Sequence, residues 1–191
     1  MKNLTAANQL TILRMLLVPA FVILLTYGYR GWALVTFFTA GLTDMFDGLI
    51  ARSTGQQTDL GAWLDPMADK LLLVTMFIVL TLPGIGSANQ LPLWFTILVI
   101  SRDVAIVATV AVFNLAVGPH TFRPSIWGKL ATATFVLTGV ITLYFNYLEE
   151  RSALVTICIY ASLVITVISA AHYLFRVIRL TNASHAAPSK R

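Results

Sequence analysis

Apolar residues run along this chain in six blocks, each long enough to cross the hydrocarbon core of a bilayer, which takes roughly 20 residues. The blocks cover residues 11–28, 32–52, 60–82, 92–116, 127–147 and 152–178. Turn chemistry separates the first five: Gly28 and Gly31, Ser53 to Gln57, Pro83 to Ser87, and Gly118 to His120. The last break is the charged cluster Glu149, Glu150 and Arg151. This pattern predicts an all-α membrane protein of six transmembrane helices, forming a single domain over 1–180. Residues 2–10 are mildly apolar and suit a short interfacial helix. Residues 181–191 are small and polar, end in Lys190 and Arg191, and read as a disordered basic tail.

Composition supports lipid as the solvent. Of 191 residues, 58% are hydrophobic and 11% charged, against about 25% charged in soluble domains, and the mean hydropathy is +0.81. The net charge of +5 is scattered singly along the flanks of apolar runs, which suits anionic lipid and not nucleic acid. Cys158, the single cysteine, cannot form an internal disulfide. Residues 1–28 resemble a signal peptide loosely, but Arg14 interrupts the stretch, so it reads as a retained first helix.

Positive residues set the orientation. With the N-terminus cytoplasmic, Lys2, Arg14, Arg52, Arg123, Lys129, Arg176, Arg179, Lys190 and Arg191 all fall near the cytoplasmic side. Only Arg30 and Arg151 fall opposite, and six spans return the C-terminus to the cytoplasm. Arg14 is read here as a marker of the cytoplasmic interface.

The acids are the unusual feature. Five of the eight, Asp44, Asp47, Asp59, Asp65 and Asp69, crowd between positions 44 and 69. A charge at the bilayer centre costs about 2.5–3.5 kcal/mol on insertion scales, and neighbouring like charges add repulsion, so a cation has to compensate. At 100° per residue, Asp44, Asp47, Gly48, Ala51 and Arg52 share one helix face, while Asp65 and Asp69 lie one turn apart on the next helix, with Gly61 a turn earlier. Oxygen ligands in this number suit Mg²⁺ or Mn²⁺, and no His or Cys stands near in sequence to make a softer set. Pro66 leaves the Ala62 carbonyl without its helical partner, tolerable at membrane depth only against protein or a water-filled cavity.

The run Asp44-x2-Asp47-Gly48-x2-Ala51-Arg52-x8-Gly61-x3-Asp65-x3-Asp69 resembles, at all eight fixed positions, the motif of the CDP-alcohol phosphatidyltransferases. Asn8, Thr11 and Arg14 are similar to the segment that precedes that family's first span, and the likeness covers most of the chain before fading after about residue 147. The resemblance implies that Asp44, Asp47, Asp65 and Asp69 hold two divalent cations, Mg²⁺ or Mn²⁺, in the cytoplasmic half of the bundle. It also implies that Asp69 is the general base on the acceptor hydroxyl, and that Gly48, Ala51, Arg52 and Gly61 make room for and contact the CDP-lipid, CDP-diacylglycerol. The implied setting is phospholipid biosynthesis, and the compact six-span form suits a bacterial inner membrane, with the active site facing the cytoplasm. The chemistry is coherent: metals stabilise charge developing on the leaving oxygen, and a carboxylate can take the proton of an alcohol.

Arg102, Arg123 and Lys129 are candidates for binding a phosphate-bearing acceptor. Their setting resembles the branch that accepts glycerol 3-phosphate, the phosphatidylglycerophosphate synthases. That branch often carries a second Arg further along the fourth span, where this chain reads Ala105 to Val110 without one. Ser101 to Val104, Arg123 and Gly128-Lys129 are also similar to the CMP-forming cardiolipin synthases, whose acceptor is phosphatidylglycerol. The alternative for Arg102 and Asp103 is an ion pair that stitches helices. An ion or proton transporter would also carry membrane carboxylates, but it would spread polar residues across the bilayer instead of gathering them at one side. Small residues in the sixth span suit a homodimer contact.

Overall fold

The computed structural model describes residues 6–54, 59–85, 87–117 and 126–186, with side chains described outside 6–8, 44–54, 59–67, 69, 110–117 and 176–186. Six helices account for nearly all of it: α1 (Ala6–Thr26), α2 (Arg30–Thr54), α3 (Asp59–Thr81), α4 (Leu93–Val117), α5 (Ile126–Tyr147) and α6 (Ala153–Ala186). Each expected block is one helix, because twenty apolar residues in lipid must satisfy their backbone groups internally. Two boundaries differ from the sequence reading. Residues 6–10 continue into α1 without a separate interfacial helix, and α6 runs on through Ala186, into the segment expected as a tail. Among the described residues three stretches are long and apolar enough to cross a membrane, Gln9–Thr26, Ile126–Tyr147 and Ala153–Phe175.

Large apolar side chains stand exposed on every helix, among them Leu16, Val35, Ile78, Val107, Leu137 and Val164. A water-soluble domain does not leave such a surface bare. Such a surface suits contact with lipid.

The chain divides into two compact units, residues 1–97 with 139–152, and residues 98–138 with 153–191. In the first, α1 packs against both α2 and α3. The buried side of α1 is a single stripe, Thr11, Arg14, Val18, Phe21 and Leu25, at the three-and-four spacing of one helix face. Phe21 meets Phe37 of α2 with ring centroids 5.8 Å apart.

The α1–α2 turn closes by a Schellman cap, in which Gly28 N–H donates to Leu25 O at 3.2 Å and Tyr29 N–H to Leu24 O at 2.8 Å. Gly28 sits at φ 81°, where a Cβ is disfavoured. The turn after α5 uses the same pair of bonds around Glu149, which takes φ 59° despite its side chain. Arg30 and Glu149 form an ion pair between the two turns. The loop after α3 is tied by a second device: Asn146 Oδ1 accepts from Asn89 N–H at 2.7 Å, and Asn146 Nδ2 donates to Asn89 O at 3.0 Å. Asn89 Nδ2 donates to Glu150 O at 2.7 Å, and Asn89 Oδ1 accepts from Ser152 N–H at 3.0 Å.

In the second unit the buried face of α6 is Val155, Ile159, Ser162, Thr166 and Ser169, spaced alternately four and three. The Thr138 and Ser162 hydroxyls meet at 2.9 Å, and such small polar residues let membrane helices approach closely. Ser162 and Ser169 are therefore used inside the protein, while Ala161, Ala170 and Ala171 remain exposed.

Candidate active site

The eight motif positions lie on two helices of the first unit. Asp44, Asp47, Gly48, Ala51 and Arg52 are on the C-terminal half of α2, and Gly61, Asp65 and Asp69 are on the N-terminal half of α3. Their side chains lie outside the described residues, and Arg123 lies outside them altogether.

Helix phase nevertheless locates the positions. Ala33, Phe37 and Ala40 form the buried stripe of α2. Extended at about 100° per residue, that stripe passes through positions 44, 47, 48 and 51. On α3, the buried residues Ala68, Leu72 and Met76 define a stripe that includes positions 65 and 69. The acids thus continue the inner stripes of their helices, where an apolar residue would otherwise be expected. Helix α3 stays continuous through Pro66.

Two residues that the sequence reading left at the margin belong to the same unit. Arg14 and Thr11 are both fully buried, with no exposed surface. Arg14 is thus enclosed by the first unit, whatever its level in a membrane. The usable signal in the sequence was its phase, since it falls on the stripe of Val18, Phe21 and Leu25.

In the second unit, Arg102 is held tightly. Its Nη1 donates to Asp103 Oδ1 at 2.7 Å and to Thr132 Oγ1 at 3.4 Å, and its Nη2 donates to Gly128 O at 2.9 Å. These bonds fasten α4 to the start of α5. Its Nε is buried without a hydrogen-bond partner. Lys129, the next residue after Gly128, is exposed. The groove beside the Gly28 turn, lined by Tyr29, Arg30, Trp32, Tyr147 and Glu149, lies at the opposite end of α2 from the aspartates. Its Tyr and Trp side chains are exposed, a composition that suits a membrane interface.

Among the described side chains, no three His, Cys, Asp or Glu residues come together as a metal site. Carboxylates at positions 44, 47, 65 and 69 have the hard-oxygen chemistry that suits Mg²⁺ or Mn²⁺.

Residues 4–171 match the family model of CDP-alcohol phosphatidyltransferase. The chain belongs to that family. It is a membrane enzyme of phospholipid biosynthesis, and it aligns with named relatives over most of its length. One is a Mycobacterium tuberculosis protein named "Probable phosphatidylglycerophosphate synthase", 37% identical over 183 residues, covering 91% of this chain and 81% of the relative. Another is the CDP-diacylglycerol–glycerol-3-phosphate 3-phosphatidyltransferase of Haemophilus influenzae, 33% identical over 174 residues, covering 86% of this chain and 89% of the relative. The CMP-forming cardiolipin synthase of Homo sapiens is 32% identical over 165 residues, covering 76% of this chain and 53% of the relative.

Proposed function

We propose that this transferase moves the phosphatidyl group of CDP-diacylglycerol onto glycerol 3-phosphate, giving phosphatidylglycerophosphate and CMP. The observation that carries the acceptor is the alignment, nearly end to end, with the Haemophilus influenzae enzyme named for that reaction. The aspartate motif on α2 and α3 supports the transfer chemistry.

In this reading Asp44, Asp47, Asp65 and Asp69 hold two divalent cations, Mg²⁺ or Mn²⁺. When bound, such cations offset the diphosphate charge and stabilise the leaving oxygen of CMP. Gly48, Ala51 and Gly61 leave space for the cytidine diphosphate, and Arg52 contacts it. Asp69 takes the proton of the acceptor hydroxyl as its oxygen forms the new P–O bond and the bond to CMP breaks. Arg123 and Lys129 meet the acceptor phosphate. Arg102 joins them by giving up its longest bond, the 3.4 Å one to Thr132. All six helices span the membrane with both termini cytoplasmic, in a bacterial inner membrane with the active site facing the cytoplasm, and the exposed alanines of α6 offer a homodimer contact.

The second reading, phosphatidylglycerol as acceptor, is favoured by the similarity to a cardiolipin synthase. One assay separates them. The purified protein is reconstituted with CDP-diacylglycerol and Mg²⁺ or Mn²⁺, and CMP release is measured with each acceptor, beside Asp69→Asn. Metal-dependent release with glycerol 3-phosphate, lost in the variant, is the expected result. Release with phosphatidylglycerol alone would move the protein to the second reading. Silence with every alcohol offered, together with metal binding or ion flux, would point to a transporter.

A further inference from the structure

Arg14 is the largest side chain in the described structure with no exposed surface. A guanidinium stays protonated in proteins, and a buried charge without an anion is strongly disfavoured. The first unit holds seven acids: Asp44, Asp47, Asp59, Asp65, Asp69, Glu149 and Glu150. Glu149 and Glu150 are exposed, and Glu149 is paired with Arg30. The anion opposite Arg14 therefore belongs to the aspartates of α2 and α3.

Helix register selects one of them. Helices α1 and α2 form an antiparallel hairpin around the Gly28 turn, and the Phe21–Phe37 ring contact fixes their alignment. Seven residues before Phe21 is Arg14, and seven residues after Phe37 is Asp44. Seven residues are nearly two turns, so both positions lie about 10 Å from the phenylalanine pair. Each turns only about 20° from the phase of its phenylalanine. Position 14 and position 44 are thus level with each other and in matching phase.

We propose that Arg14 is a positioning residue that pairs with Asp44. The pair holds the Asp44 carboxylate in place, and the guanidinium offsets the charge of the aspartate set before a divalent cation binds. Its purpose rests on reading Asp44 as a metal-holding residue, but the pairing itself is tested without any substrate.

Thermal unfolding of the purified protein in detergent is compared for wild type, Arg14→Gln, Asp44→Asn, Arg14→Gln/Asp44→Asn and Arg14→Gln/Asp65→Asn, with and without Mn²⁺. Loss of a partner from a buried ion pair in a chain of this size lowers the unfolding temperature by about 6–20 °C. Arg14→Gln should show that drop, and adding Asp44→Asn should recover at least half of it, whereas Asp65→Asn should not. Mn²⁺ should raise the unfolding temperature of Arg14→Gln more than that of wild type, since the metal replaces the missing positive charge. If Arg14→Gln yields no folded protein alone, the yield of monodisperse protein on size exclusion is read instead, and recovery by Asp44→Asn keeps the same meaning. No recovery in the double variant or equal recovery by Asp65→Asn would overturn the pairing, and equal Mn²⁺ shifts would overturn the purpose assigned to it, the charge offset at a metal-holding Asp44. CMP release does not enter, so a failed transferase assay leaves this outcome intact.

Discussion

Two polar groups in the first unit solve the problem of burial in opposite ways. The Asn89–Asn146 cluster is neutral: the Asn146 side chain hydrogen-bonds the Asn89 backbone, and the Asn89 side chain hydrogen-bonds the turn after α5 at Glu150 O and Ser152 N–H. It is complete as it stands and ties a loop to the end of α5. The aspartates of α2 and α3 are five acids, and Arg14, Arg30, Arg52 and Lys70 are the only basic residues between positions 6 and 81. With Arg30 committed to Glu149, three cations remain for five anions. A polar group that is satisfied internally serves the fold, while one left with excess charge needs something from outside. The Arg102–Asp103 pair of the second unit falls between, neutral as a pair and bonded to α5, yet with a buried Nε lacking a partner.

The largest expected effect tests the unbalanced group. Asp69→Asn should lower CMP release by about 10²–10⁴-fold, the usual contribution of a general base. Its unfolding temperature should hold or rise, because a crowded like charge has been removed. A large loss of stability instead would place Asp69 with the structural group. Asn146→Ala should behave the other way round, losing about 3 kcal/mol as the Asn89 amide and carbonyl are left buried without partners. Its CMP release per folded molecule should stay near wild type, and denaturation against specific activity reads both quantities.

Arg102→Gln sharpens the intermediate case. If one of its bonds is exchanged for the acceptor phosphate, KM for glycerol 3-phosphate should rise about tenfold, equivalent to about 1.4 kcal/mol, with kcat little changed. An unaltered KM with lower stability would make Arg102 only a fastener of α4 to α5. The smallest effect is expected at Glu149→Gly. Relief of the φ 59° backbone is worth about 1 kcal/mol, and the exposed ion pair with Arg30 contributes about 0–1 kcal/mol. The two nearly cancel, so the unfolding temperature should move by no more than about 2 °C.

The helices were legible because each carries its own signal: a long apolar block bounded by Gly, Pro or charge needs no partner to become helical in lipid. The motif was legible for the same reason, since Asp44 with Asp47, and Asp65 with Asp69, are separated by single turns, and helix period alone puts each pair on one face. The burial of Arg14 was not legible, because it depends on the helices that α1 packs against, which local period cannot express. Likewise, nothing near Asn89 announces Asn146, 57 positions away, and nothing in the run from Ile100 to Val104 shows that Arg102 reaches Gly128. Six apolar helices and the crowding of acids on two of them are local, periodic properties, and so they stand in the sequence before any helix packs. Tertiary structure alone decided which polar groups are satisfied from within, because hydrogen bonds and charge pairs between distant segments exist only once the helices have packed.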